Sequence, residues 1–241
     1  MSAPDDLQAV VRRLLELLPE LTTVLLFGSH ASGLADDFSD YDLLVLVPDG
    51  VEPARRKGVE EQLRAEFPSF RLDLVIGSER GLLASLRYEP TRPFWLENGI
   101  ALWGRRPAVE NHPPLARGAL LSHLNLVEAE LGVARTAEDD HACCRIGLDA
   151  LEHLVQIEHA LAGDYRNESI RQTLTHLIGD ESYHSVRNSP HPIDSAMCRR
   201  ILRVAQNKLR TVRRRVSAMP ENESDYLWRE RWQRREPAEA T

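Results

Sequence analysis

Hydrophobic residues in the first part of the chain recur with two different periods. Over residues 4–18 they lie three and four positions apart, and this spacing predicts an amphipathic helix. Short apolar runs predict four strands, at about 22–27, 41–47, 70–76 and 100–103. Helical spacing returns between the strands, over 52–67 and 79–87, and Pro68 ends the earlier of these helices. The alternation of strands and helices predicts a small mixed α/β domain.

The second half of the chain has almost no strand pattern. Its apolar residues predict four amphipathic helices, at about 115–135, 146–161, 170–178 and 193–216. Prolines and a change of composition at residues 105–114 predict a linker. The predicted fold class is therefore α+β, with a mixed α/β domain (1–106), an all-α helical bundle (115–218) and a tail (219–241).

Composition narrows the class of protein. With 241 residues, 42% of them hydrophobic, the chain is long enough to bury a core. Its formal net charge of −7 argues against a general nucleic-acid-binding protein, which is usually basic. No apolar run approaches the length of a membrane span, and the amino terminus lacks a signal-peptide pattern. We therefore expect a cytoplasmic protein that does not bind membranes.

Three acids and a Gly-Ser turn carry the candidate chemistry. Gly28-Ser29 follows the first predicted strand, and its backbone N–H groups and hydroxyl suit a phosphate chain. Asp40 and Asp42 are two positions apart at the start of the second strand, so both carboxylates point to one face. Asp73 lies inside an apolar strand, where an acid is costly to bury without a cation or donors. Such hard oxygen ligands suit Mg²⁺.

This arrangement resembles the nucleotidyltransferase superfamily typified by DNA polymerase β, over residues 20–104. The resemblance implies a polymerase-β-like domain in which Asp40, Asp42 and Asp73 bind Mg²⁺ and carry catalysis, with Asp73 also a candidate general base. It implies that Gly28 and Ser29 hold the phosphates of ATP or another NTP. The implied reaction transfers a nucleoside monophosphate to a hydroxyl.

One position departs from the family pattern. Small members often read Gly-Ser-x-Ala-Arg-Gly, whereas this chain has Ser32 where that arginine stands. The departure removes a cationic partner for phosphate and predicts weaker nucleotide binding or activity. His30 either substitutes in part for the arginine or is a solvent-facing turn residue.

The helical half resembles two kinds of domain by pattern alone. Antibiotic nucleotidyltransferases use such a bundle to hold an aminoglycoside-type acceptor, and Glu152 or Glu158 are candidates for that contact, although a solvated helix face is the favoured interpretation. HEPN domains pair with minimal nucleotidyltransferases in toxin–antitoxin systems, and active HEPN ribonucleases carry Arg-x4–6-His. Arg171 and His176 fit that spacing inside a predicted helix, while Arg187 and His191 are one residue too close. A ribonuclease is therefore not favoured.

Two further segments, the last helix of the bundle and the tail, have a distinctive residue pattern. The last helix of the bundle is rich in arginine, which we interpret as a solvated or internally paired face in preference to an RNA contact. Trp228 and Trp232 are four positions apart in the tail and predict one apolar stripe that folds back or contacts a second copy. A homodimer is compatible with this pattern.

The function we predict is that of a Mg²⁺-dependent nucleotidyltransferase. It transfers a nucleoside monophosphate, with AMP from ATP as the family's usual case, to a hydroxyl of a small molecule such as an aminoglycoside or of a protein. The alternative is a toxin–antitoxin regulatory module whose bundle binds a partner or RNA and whose transferase activity is weak or absent.

Overall fold

The chain passes between two structural units in the computed structural model, which describes residues 5–33, 35, 39–109, 111–188 and 194–233. The first unit comprises residues 1–85 and 94–110, and the second comprises residues 86–93 and 111–241. The segment 86–93 thus leaves the first unit before that unit is complete. The fold class is α+β, as predicted, with a mixed sheet in the first unit and a helical second unit.

A four-stranded sheet organises the first unit. Its strands are β1 (Thr23–Phe27), β2 (Tyr41–Val47), β3 (Leu72–Ser78) and β4 (Ile100–Gly104). Their order in the sheet is β3-β2-β1-β4. β1 is antiparallel to both β2 and β4, whereas β2 and β3 are parallel. The two central strands are continuous apolar runs because both of their faces are covered.

Helices cover this sheet and connect its strands. They are α1 (Asp5–Leu17), α2 (Gly28–Ser32), α3 (Pro53–Glu66), α4 (Glu79–Ser85) and α5 (Arg92–Asn98), the last of which begins in the second unit. α1 buries Leu7, Val10 and Leu14 completely in the core against β1 and β2. α3 provides the crossover that a parallel β2–β3 pair requires, and it buries Val59 and Leu63 in the same core.

The predicted strands of the first unit agree with the structure except at β3. That strand begins at Leu72 instead of residue 70, because the Phe70 N–H donates to the Phe67 carbonyl and closes a turn. The short helix α2 replaces what the Gly-Ser pattern predicts as a simple turn. Both differences lie next to the candidate site.

Six helices form the described part of the second unit. They are α6 (Arg117–Thr136), α7 (Asp140–Ala162), α8 (Asn167–Ile178), α9 (Asp180–Asn188), α10 (Ser195–Ser217) and α11 (Glu223–Gln233). α7 begins earlier than the apolar pattern predicts, because Asp139 accepts a hydrogen bond from the Ala142 N–H at 2.7 Å and caps the helix. α9 and α11 were not predicted, since both are mainly polar and bury few apolar side chains.

Helix α11, the last described helix, packs against the start of α6. Asp225, which is 5% exposed, accepts from the N–H groups of Gly118 (3.2 Å) and Asn222 (3.0 Å). Trp228 covers Gly118 so closely that a Cβ at residue 118 would lie 2.5 Å from its ring. The Trp228 part of the predicted apolar stripe therefore packs within the second unit, while the side chain of Trp232 lies outside the described residues.

We expect Asp225→Ala to destabilise the second unit by about 1–3 kcal/mol, because two backbone donors lose a buried acceptor. Denaturant unfolding followed by far-ultraviolet circular dichroism measures this change. Asp225→Asn keeps one acceptor oxygen, so its loss should be smaller. An unchanged unfolding midpoint in Asp225→Ala would show that the cap contributes nothing.

None of the helices that the structure describes combines the length and apolar character needed to cross a lipid bilayer.

Candidate functional site

The site lies where β1 ends and β2 and β3 begin. Asp42 is the second residue of β2, and its register partner on the parallel strand β3 is Asp73. Partners on adjacent strands project to the same face of a sheet, so the two carboxylates are neighbours. Asp40 precedes β2 and is exposed, as is Asp73, whereas Asp42 is partly buried. The topology thus brings two of the three predicted acids into direct register.

The Gly-Ser turn reaches the same acids from the other neighbouring strand. Phe27 is the antiparallel partner of Asp42, so Gly28 directly follows the residue that faces the acid. A Cβ at Gly28 would lie 2.0 Å from Oδ2 and 2.8 Å from Cγ of Asp42. The φ angle of Gly28 is +68°, in the left-handed region that favours glycine. Position 28 therefore requires glycine both for its backbone and for its closeness to Asp42.

The electrostatics of the site single out Asp42. Burial first, and then the negative charges of Asp73 and Asp40, together raise the pKa of this carboxyl to about 7. The charges of Asp73 and Asp40 both act on Asp42. Asp40 therefore lies close enough to raise the pKa of Asp42, although it lies outside the strand. A raised acid pKa among like charges marks a site that favours a cation.

The short helix α2 holds Ser29 beside the acids. The Ser29 carbonyl accepts from the Gly33 N–H and from the hydroxyl of Ser32 at 3.0 Å. Ser32, which stands where small family members often have arginine, therefore closes the turn and supplies no positive charge. The Ser29 side chain is partly exposed.

An aromatic stack supports the turn, and sequence reasoning did not predict it. The rings of His30 and Tyr41 are stacked with centroids 3.7 Å apart, and Tyr41 stacks in turn on Phe70 at 4.4 Å. The Nε2–H of His30 donates to the Ser39 carbonyl at 3.3 Å. The only available signal was that Tyr41, between Asp40 and Asp42, must face the opposite side of β2. His30 is thus a packed residue that ties α2 to β2.

The donor set suits a divalent cation. Carboxylate oxygens are the ligands that Mg²⁺ prefers, and the mutual repulsion of Asp40, Asp42 and Asp73 falls when a cation lies among them. In the described part of the chain, no group of three or more His, Cys, Asp or Glu side chains is arranged as a ready metal site. The suitability of the three acids for Mg²⁺ is therefore inferred from the chemistry of their oxygen atoms and from their negative charge.

Residues 7–100 match the family model described as a nucleotidyltransferase domain. This match supports a nucleotidyltransferase over that range. All five predicted site residues lie inside the matched range. No curated protein matches the chain.

Three solved structures show weaker likenesses. A toxin–antitoxin with AMP-PNP is 26% identical and covers 41% of this chain and 73% of its own, with a TM-score of 0.31. A mutant of the toxin–antitoxin MntA-HpeT is 23% identical with the same 41% and 73% coverage and a TM-score of 0.31. A nucleotidyltransferase-like protein from Exiguobacterium sibiricum is 15% identical over 95% of this chain and 81% of its own, with a TM-score of 0.37. The similarity to nucleotidyltransferases therefore rests on the family match and not on these structures.

The acidic candidates of the helical half are engaged in ion pairs. Glu152 accepts from Arg187 at 2.5 Å, and Arg187 also pairs with Asp149 at 3.0 Å. Glu158 forms an ion pair with Lys208. These contacts join helices of the second unit, so both glutamates have structural partners there.

The arginines of the two arginine–histidine pairs are held in ion pairs. Arg171 pairs with Glu168 on the same helix at 2.8 Å, and His176 is exposed. Arg187 is committed to its acidic partners on α7. His191 lies outside the described residues.

Proposed function

We propose that the protein is a Mg²⁺-dependent nucleotidyltransferase that transfers a nucleoside monophosphate from an NTP, with ATP as the first candidate, to a hydroxyl acceptor. The observation that carries this proposal is the convergence of Asp42 and Asp73 in register beside Gly28. A nucleotidyltransferase needs carboxylates for the cation and an open backbone for the triphosphate, and these three residues supply both.

Each site residue has a proposed role. Asp40, Asp42 and Asp73 hold Mg²⁺, which when bound neutralises the triphosphate and lowers the pKa of a coordinated hydroxyl. Asp73 is exposed at the edge of the sheet, so its carboxylate is accessible to accept the proton of the attacking hydroxyl. Gly28 lets the phosphate chain approach the backbone, and Ser29 offers its hydroxyl to a phosphate oxygen.

The acceptor is proposed as a hydroxyl of a small molecule of the aminoglycoside kind or of a protein. Adenylyl transfer is the family's usual case, and no residue of the site described above selects the base. The acceptor and the base therefore have to be determined together.

The test is a transfer assay with the full chain and Mg²⁺. Each of the four NTPs, labelled at the α-phosphate, is incubated with a panel of aminoglycosides and, separately, with a cell lysate as a source of protein acceptors. We expect label from one NTP, ATP first, to move to an acceptor, and we expect EDTA to abolish the transfer because the acids act through a cation.

A matched pair of variants makes the assay specific. Asp73→Asn removes a carboxylate of the site, whereas Asp49→Asn removes an exposed acid in the loop after β2. Transfer should be lost in Asp73→Asn and kept in Asp49→Asn. Equal transfer by the two variants would contradict the proposed site.

A further inference from the structure

Helix α10 has an unusual charge content for this chain. It carries eight basic residues and no acidic one across Ser195–Ser217, although the protein has a formal net charge of −7. Several of these positive charges lie in the first half of the helix, where the helix dipole does not favour cations. Such a concentration calls for a partner that supplies negative charge.

Among the residues that the structure describes, two of the eight basic side chains of α10 form ion pairs with neighbouring helices. Lys208 forms an ion pair with Glu158 of α7, and Arg213 pairs with Glu128 of α6 at 2.9 Å. Both lie on the sides of α10 that pack against the bundle. The sequence-based interpretation of a paired face therefore holds for these flanks.

The outward face of α10 is different. At 100° per residue, five arginines fall within an arc of about 100° and extend over about 22 Å of helix. We call this set the arginine stripe: Arg199, Arg200, Arg203, Arg210 and Arg214. All five are exposed, and none has a carboxylate partner among the residues that the structure describes. The stripe is a surface of unneutralised positive charge.

The composition of the stripe favours phosphate over other anions. Every cation in it is arginine, whose planar fork binds phosphate oxygens in pairs. The outward face has no aromatic side chain and, apart from the methyl group of Ala196, no apolar one, whereas the buried centre of a protein interface is rich in such side chains. Ile201 and Val216 of α10 are fully buried, and its other large apolar side chains, Met197, Leu202 and Val204, are partly buried. The helix therefore presents no exposed apolar face to a lipid surface.

The same features favour a duplex over a single strand. Single-stranded nucleic acids are held largely by stacking on aromatic rings, and the stripe has none. The one amide on this face, Asn207, accepts a hydrogen bond from Arg210 at 2.5 Å and is not free to read base edges. Double-stranded RNA is recognised mainly through its shape and backbone, with little base reading.

We propose that the arginine stripe binds the phosphate backbone of double-stranded RNA. The surface belongs to the second unit, and the proposal does not depend on nucleotide transfer. It reverses the interpretation that the sequence alone favours, because the outward arginines lack the internal partners that the flanking residues have.

Fluorescence anisotropy with a labelled 20-base-pair RNA duplex, without nucleotide present, tests the proposal. The variant R199Q/R203Q/R210Q/R214Q should bind at least about tenfold more weakly at 0.1 M salt, and the slope of log K against log salt should fall by about 3. The variant with lysine at the same four positions keeps the charge, so it should keep the slope while binding more weakly than wild type.

A control with the same change in net charge separates the stripe from the overall charge. R12Q/K57Q/R64Q/R166Q removes four exposed basic residues elsewhere and should bind RNA as wild type does. Circular dichroism verifies that each variant is folded. The proposal would be overturned if the control and the stripe variant weakened binding equally, or if wild type did not bind the RNA duplex at 50 mM salt. It would also be overturned if wild type bound a DNA duplex, single-stranded RNA, poly-glutamate or anionic vesicles more tightly than the RNA duplex.

Discussion

Asp42→Asn is expected to abolish nucleotide transfer and at the same time to stabilise the metal-free protein. The activity should fall at least about 10³-fold, since the variant loses one of the charged side chains proposed to bind the cation. The melting temperature at pH 8 should rise by about 2–4 °C, which corresponds to roughly 1 kcal/mol for a protein of this size. Asp42 is partly buried beside Asp73 and Asp40, so replacing its charge relieves repulsion.

The stabilising effect of Asp42→Asn should depend on pH, because the pKa of Asp42 differs between the folded and the unfolded protein. The pKa of Asp42 is about 7 in the folded protein, whereas that of an aspartate in an unfolded chain is about 3.9. Between pH 4 and 7 the folded protein therefore holds a proton that the unfolded chain has lost, and stability falls as pH rises through this window. The advantage of Asp42→Asn should be largest at pH 8 and should disappear near pH 4.

Calorimetric or fluorescence melts at pH 5, 6.5 and 8, with and without Mg²⁺, measure the effect. Mg²⁺ should raise the melting temperature of wild type at pH 8 but not that of Asp42→Asn. Asp49→Asn, the exposed control, should follow wild type throughout. A lower melting temperature for Asp42→Asn at pH 8 would show that the three acids do not repel one another.

Gly28→Ala should have the second largest effect, with a loss of transfer of about 10²-fold. The new Cβ would lie 2.0 Å from Oδ2 of Asp42, so either the turn or the carboxylate has to move. Displacements of about 1 Å at a reacting centre cost rates of this order. The left-handed φ of +68° adds about 1–2 kcal/mol of strain for any residue with a side chain.

Gly163→Ala separates the two causes. Gly163 has nearly the same φ, +72°, but a Cβ there would meet nothing within 4 Å. This variant should lose stability through backbone strain and keep its transfer activity. Comparison of transfer rates and unfolding midpoints for the two alanine variants tests the close approach. If Gly28→Ala retains wild-type transfer, the glycine is not needed for the geometry of the acids.

Much of the first unit could be predicted from sequence because its signals are local. The apolar runs of β1 and β2 and the periodicity of α1 depend on burial, which leaves a direct mark on residue type. Asp73 could also be recognised in the sequence, because it interrupts an otherwise apolar strand. The alignment of Asp73 with Asp42 could not be predicted by pattern, since it depends on the parallel pairing of β2 with β3.

Several of the contacts that sequence reasoning missed join segments that are distant in the chain. The approach of Gly28 to Asp42 follows from the register of two antiparallel strands, and the stack of His30, Tyr41 and Phe70 joins three separate elements. In the second unit, α11 has little apolar periodicity of its own. It is held by a buried carboxylate and one tryptophan against α6, and such single contacts leave no repeating pattern.

The route of residues 86–93 has a consequence for dissecting the protein. These residues belong to the second unit, where Arg87 pairs with Glu223 at 2.8 Å and the Tyr88 carbonyl accepts from His123 at 3.2 Å. The edge strand β4 nevertheless follows them and completes the sheet of the first unit. A single cut near residue 106 would leave residues 86–93 on the first fragment, without the helices that they contact. The helical fragment would lack this segment. The first unit therefore cannot be exchanged as one continuous segment of sequence. A chimaera that joins it to another helical domain would have to keep residues 86–93 together with the helices that they contact.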